Sequence, residues 1–172
     1  MNNKLSKIKC VAVFLTGISA VTIPAMASAD WTIIGLGTLG GLSSEARAIN
    51  DSGQIAGQVT FSNGETHTFI TGANGVGMTD LGTLGGTYST PEGINDSGQV
   101  VGGSYILGNE ISDISGSPIL HAFVTGANGV GMTDLGGSIS YAMDLNNSGQ
   151  VVGQSTFGTS ALRGFITGPT GV

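Results

Sequence analysis

The chain has 172 residues, 40% of them hydrophobic, with eleven acidic residues against five basic ones and a single cysteine. A formal charge of −6 with so few cations excludes the basic footprint that nucleic-acid binding needs and argues against docking on anionic lipid. One cysteine excludes a disulfide framework within the chain.

The N-terminus carries Lys4, Lys7 and Lys9, then an apolar run over 11–26, then Ala27-Ser28-Ala29 before Asp30. A basic head, a short apolar middle and a small-x-small exit predict a signal peptide over 1–29. Gly17, Ser19 and Pro24 interrupt the run, which falls short of the roughly 20 apolar residues a spanning helix requires. The expected product is secreted, extracellular or periplasmic, with no membrane span once the signal is removed. Cys10 lies in the head and leaves with it. The mature chain, 30–172, keeps Arg47 and Arg163 as its only strong cations and is long enough to bury one core.

Residues 31–37 read as a short strand leading into Leu36-Gly37-Thr38-Leu39-Gly40-Gly41. That tail recurs at Leu81-Gly82-Thr83-Leu84-Gly85-Gly86 and, trimmed, at Leu135-Gly136-Gly137. Gly35-Leu36-Gly37-Thr38-Leu39-Gly40 matches a dinucleotide fingerprint, but that motif needs a helix directly after it to meet the pyrophosphate. Here strand and turn signals come instead. The glycines are expected to let backbone segments approach closely.

The organising motif comes next: Ile49-Asn50-Asp51-Ser52-Gly53-Gln54-Ile55-Ala56-Gly57, repeated from Ile94 to Gly102 and from Leu145 to Gly153. Gln54 and Gln99 are 45 residues apart, Gln99 and Gln150 51; Phe69, Phe123 and Phe165 step by 54 and 42. One period of 45 fits if nine residues were gained between Gln99 and Phe123 and three lost between Leu135 and Gln150. Within a period, a strand ends at 49, Asn50–Gly53 turns, 54–61 alternates as a second strand, 66–71 is a third and 78–81 a fourth.

Four short antiparallel strands in each of three tandem repeats (about 43–82, 87–136 and 138–172) predict an all-β, propeller-like fold in a single domain over 30–172. The strand at 31–37 would supply the fourth strand that the last repeat lacks and close the array. Three units are fewer than a propeller usually needs. The open alternatives are a partial array, a homo-oligomer completed by strand exchange, and a β-trefoil.

The Asn-Asp-Ser-Gly-Gln-Val-Val-Gly turn, His121-Ala122-Phe123 with its relative His67-Thr68-Phe69, and Met-Thr-Asp-Leu-Gly-Thr-Leu-Gly-Gly together resemble the HAF family of extracellular repeat proteins. The likeness covers nearly all of 31–172 and implies a secreted bacterial protein of tandem β units. The third repeat departs from the triplet, with Arg163-Gly164-Phe165.

Candidate functional residues are few. His67, His121 and Arg163 hold equivalent positions; a zinc site wants three or four ligands, and the third copy brings a cation, so a packing or hydrogen-bonding role is expected. Asp51 and Asp96 occupy turns suited to calcium, but Asn147 stands at the third copy, which fits a turn-forming role. No metal or other cofactor is expected. The sequence shows no Gly-x-Ser-x-Gly elbow and no His-Glu-x-x-His, so no catalytic residue is assigned. The insertion within 105–120 carries Asn109, Glu110 and Asp113, the leading candidates for ligand binding because loops on a regular scaffold tend to carry it. The expected function is a secreted β-repeat scaffold or binding module of unknown ligand. The alternative is a carboxylate-dependent hydrolase acting on glycans.

Overall fold

The computed structural model describes residues 31–107, 119–157 and 161–168. Residues 31–33 belong to a first unit and carry no strand; the second unit begins at Ile34. Among its described residues the second unit holds eleven strands: β1 (Ser43–Ile49), β2 (Ile55–Thr60), β3 (Thr66–Thr71), β4 (Met78–Gly82), β5 (Gly85–Ile94), β6 (Val100–Ile106), β7 (Leu120–Thr125), β8 (Met132–Asp134), β9 (Ser140–Leu145), β10 (Val151–Ser155) and β11 (Arg163–Ile166). Single 3₁₀ turns, Ala73–Gly75 and Ala127–Gly129, come after β3 and β7. The described residues hold no α-helix.

Neighbours in sequence pair antiparallel, giving the meanders β1–β4, β5–β8 and β9–β11. A single parallel pair, Thr66 with Tyr88, joins the first two into one eight-stranded sheet; the third meander is a separate three-stranded sheet. Neither sheet closes on itself among the described residues.

The strand expected over 31–37 is not formed: residues 31–38 carry no strand. Gly37 (φ 96°) and Leu39 (φ 51°) take the backbone out of the extended region. Gly37 O accepts the Ser44 hydroxyl at 2.6 Å, so this stretch serves as a turn at the head of β1.

The turns are built from their own residues. In the first copy Asn50 Oδ1 accepts the Gln54 N–H at 2.9 Å and Asn50 Nδ2 donates to Gln54 Oε1 at 2.9 Å. Asn95 with Gln99 and Asn146 with Gln150 repeat both bonds. Gly53, Gly98 and Gly149 take φ of 74°, 73° and 77°, where a side chain would be strained.

Burial originates in the Val-Val pairs. Val100 packs with Ala56, Ile70 and Phe123 between the first and second meanders. Its neighbour Val101 packs with Ala122, Ala142, Leu145 and Val151 between the second and third. Successive residues of a strand point to opposite faces, so the middle meander is covered on both sides.

Each first strand also carries a bulge at an equivalent place. The register slips at Arg47 in β1, at Glu92 in β5 and at Met143 in β9. A bulge leaves one residue unpaired and re-aims its side chain.

Candidate functional site

The bulges bring together residues that lie one repeat apart. Arg47 Nη1 lies 3.4 Å from Glu92 Oε1 and its Nη2 lies 3.6 Å from Glu45 Oε2. Gln58 Nε2 donates to the same Glu45 oxygen at 3.0 Å. The Tyr141 hydroxyl on β9 donates to Glu92 Oε1. One polar chain thus runs across the first strands of all three meanders.

Burial, then the hydrogen bond and the charge of Glu92, pushes the Tyr141 phenol well above its ordinary value of 10.0. The proton therefore stays on Tyr141, which acts as a donor and not as a nucleophile. The folded state holds this proton more tightly than the unfolded chain, so its contribution is present below pH 10 and declines as pH rises beyond it. Urea unfolding is expected to show stability falling above pH 10, with Tyr141→Phe losing about 1–2 kcal/mol at neutral pH and showing a shallower alkaline decline. An alkaline slope identical in the variant and the parent would contradict this.

The two histidines are held by carboxylates of their own meanders. His67 Nδ1 meets Asp80 Oδ2 at 2.9 Å, and His121 Nδ1 meets Asp134 Oδ2 at 2.8 Å. The other oxygen of each carboxylate accepts a backbone N–H, from Gly82 at 2.8 Å and from Gly136 at 2.7 Å. Phe61 adds an edge contact to the His67 ring at 5.0 Å. Arg163, at the third equivalent position, is exposed and opens β11 opposite Ser155. Among the described residues no group of three or more histidine, cysteine, aspartate or glutamate side chains could hold a metal ion.

The turn carboxylates are engaged across repeats. Asp96 Oδ1 accepts the Asp51 N–H at 3.1 Å, its Oδ2 accepts Asn147 Nδ2 at 2.6 Å, and Asn147 Oδ1 accepts the Asp96 N–H at 3.0 Å. At the nucleotide-like glycines no helix is formed; a Cβ on Gly41 would come within 2.6 Å of Val59 and one on Gly86 within 2.6 Å of Tyr105. Both lie outside the fingerprint, whose own Gly35 and Gly40 would set a Cβ against nothing within 4 Å and whose Gly37 would meet only Met78 Sδ at 3.8 Å, so the close approach expected of those glycines is not found. Asn109, Glu110 and Asp113 lie outside the described residues.

A cavity of about 710 Å³ opens beside the third meander, between the β8–β9 connection and strands β10 and β11. Asp134, Leu135, Gly137, Ser155, Phe157 and Phe165 line it. The chain therefore presents an all-β architecture of antiparallel meanders with one mixed polar and apolar cleft. No protein-family model and no curated protein matches it.

Sequence reasoning missed both Arg47–Glu92–Tyr141 and the cleft. Arg47 and Glu92 stand one period of 45 apart, a charge complementarity between equivalent positions that was readable in principle. The shortened Leu135-Gly136-Gly137 tail was the signal for the cleft.

Proposed function

We propose that the protein is an exported all-β repeat scaffold, extracellular or envelope-associated, whose propeller-like stack of units continues head to tail into a second copy and presents its binding surface along that stack. The observation that supports this reading is the ladder between turns, in which the leading asparagines donate in one direction. Asn50 Nδ2 donates to Asn95 O at 2.9 Å, and Asn95 Nδ2 donates to Asn146 O at 3.1 Å. Each turn gives donors to the next turn and offers acceptors to the one before, with Asn147 Nδ2 adding one bond back to Asp96 Oδ2.

The strand edges obey the same direction. Ser89 Oγ accepts the Thr68 N–H at 2.7 Å and Ser140 Oγ accepts the Ala122 N–H at 2.8 Å. Ser44 holds the equivalent place on β1, and Gly164 is the equivalent of Ala122 on β11. A second copy meeting this edge aligns Asn146 Nδ2 with Asn50 O, Asn147 N with Asp51 Oδ1 and Gly164 N with Ser44 Oγ.

Apolar side chains support the same join. Ala56 and Val101 are buried between meanders, where their equivalent Val152 is 42% exposed; Ile70 is buried, where Ile166 is 66% exposed. On the opposite end Leu145 is buried, where Ile49 is 68% exposed. Each exposed residue belongs to a position that the neighbouring repeat covers elsewhere, so burial drives the contact. Faces and turns make it, in place of an exchanged strand 31–37.

Light scattering after size exclusion, from low to high micromolar concentration, is the test. The mass is expected to rise to a dimer or a longer head-to-tail assembly, and Ile166→Asp is expected to hold the chain monomeric while leaving its circular dichroism unchanged. A single-chain mass at every concentration, or equal association of the variant, removes the proposal.

A further inference from the structure

The cleft beside the third meander corresponds to a place that the chain fills elsewhere with its own backbone. At the second meander Leu84 donates its N–H to Ser104 Oγ at 2.9 Å, bridges in parallel to Ile106, and packs on the layer that contains Phe123. Its segment is braced from within: Thr83 Oγ1 donates to Gly86 O at 2.7 Å and accepts the Gly85 N–H at 3.0 Å. Thr83–Gly86 is thus a glycine-rich strap, bent at Gly85 (φ 101°), with one partly buried leucine packed on that layer.

Counting from the turn glutamines, Ser155 and Phe157 are the equivalents of Ser104 and Ile106, and Phe165 is the equivalent of Phe123 because it pairs with Gly153 as Phe123 pairs with Gly102. All three line the cleft. The connection between β8 and β9 is the one shortened by three residues, and no leucine equivalent to Leu84 exists there. Ser155 is buried, yet its Oγ receives only a 3.5 Å approach from the Phe157 N–H where Ser104 has the Leu84 N–H at 2.9 Å. Phe157 is 56% exposed with φ 43°, where Ile106 is partly covered. The volume falls in the range of ligand pockets, about 300–1,000 Å³.

We propose that this cleft is a binding site for a glycine-rich peptide strand carrying a leucine, which enters as Thr83–Gly86 lies at the second meander. The leucine side chain rests on Phe165 and Phe157, and its N–H donates to Ser155 Oγ. Flanking glycines are required because the strap passes backbone against backbone: a Cβ on Gly86 would come within 2.6 Å of Tyr105. Recognition by an extended backbone and one side-chain pocket is a known economy of peptide-binding sheets. The cleft shares Ile166 with the head-to-tail contact, so peptide binding is read on the monomeric chain.

The test titrates the full chain, isotopically labelled and kept dilute enough to be monomeric, with the synthetic peptide Gly-Thr-Leu-Gly-Gly-Thr. Saturable amide shifts are expected at Gly137, Ser155 and Phe157. Binding is expected to weaken about tenfold or more when the peptide's leucine is replaced by serine, and similarly in Phe157→Asn, a substitution that suits the positive φ. A second variant inserts Thr-Leu-Gly between Gly136 and Gly137, restoring the strap in cis; it is expected to lose peptide binding and to melt at higher temperature. Absence of saturable shifts, equal binding of the serine peptide, or undiminished binding by the insertion variant would each overturn the proposal.

Discussion

Asn95→Ala is expected to lower the melting temperature by about 10–20 °C, because the side chain ties a turn to itself and to the next turn at once. Its Oδ1 accepts the N–H groups of Ser97 and Gln99, and its Nδ2 donates to Gln99 Oε1 and to Asn146 O. Asn95 is buried, so alanine takes away the partner of each of these groups; those of the exposed Ser97 and Asn146 can turn to water, whereas Gln99 is half-buried. Each such loss costs about 1–3 kcal/mol, and with partial relaxation the total is about 3–5 kcal/mol. Asn146→Ala removes the same local bonds at an exposed turn that donates to no further turn of its own chain, and about 1–2 kcal/mol is expected for the monomer. Asn95→Asp should do no better than alanine, since it sets an oxygen against Gln99 Oε1 and Asn146 O. Thermal melts of the three variants decide the matter: equal losses at Asn95 and Asn146 would mean that the cross-turn bond contributes nothing.

That turn is also the part of the structure most legible in the sequence. Asparagine, serine, glycine and glutamine at fixed spacing act on their own backbone within four residues, and nothing distant is needed to predict them. The third strand, expected over 66–71, is found at Thr66–Thr71, and the second, expected over 54–61, at Ile55–Thr60. Both are bounded by turns with positive-φ glycines at Gly53 and Gly64. Residues 31–37 mislead for the same reason: alternating apolar residues describe a strand only when a partner edge receives it, and Gly37 and Leu39 bend the chain first.

Partners one repeat away were not legible. Period-2 alternation assumes one buried face, whereas Val100 and Val101 are both buried, on opposite sides of the middle meander. The bulges at Arg47, Glu92 and Met143 break the alternation and carry no side-chain signature. Sequence spacing relates His67 to His121 as equivalent residues, yet each imidazole meets an aspartate thirteen residues on in its own meander. The signal of the cleft in the sequence is therefore a difference between copies, namely the three residues missing before Ser140, rather than any motif.

Gly102→Ala is expected to be as damaging as the loss of Asn95, although it adds only a methyl group. A Cβ there would collide with Thr90 O and stand 2.9 Å from Pro91 Cα. Both are backbone atoms of β5, which cannot retreat without opening the β5–β6 ladder. The cause is the bulge: the slip at Glu92 swings the preceding carbonyl towards the partner strand, and only a residue without a side chain accepts it. The same collision recurs for Gly57 with Glu45 O and for Gly153 with Tyr141 O. Opposite each glycine lies the phenylalanine of its repeat, Phe69, Phe123 or Phe165, so glycine, bulge and aromatic ring come as one unit. Overpacking of this kind costs about 3–5 kcal/mol when the obstructing atoms are backbone. Gly64→Ala is the control: its Cβ meets nothing within 4 Å, and only its φ of 90° opposes the change, at about 1–2 kcal/mol. Urea midpoints should therefore fall much further for Gly102→Ala than for Gly64→Ala at an unchanged denaturant slope. Similar midpoints would show that β5 yields, and that the third letter of the Val-Val-Gly motif is not fixed by the bulge facing it.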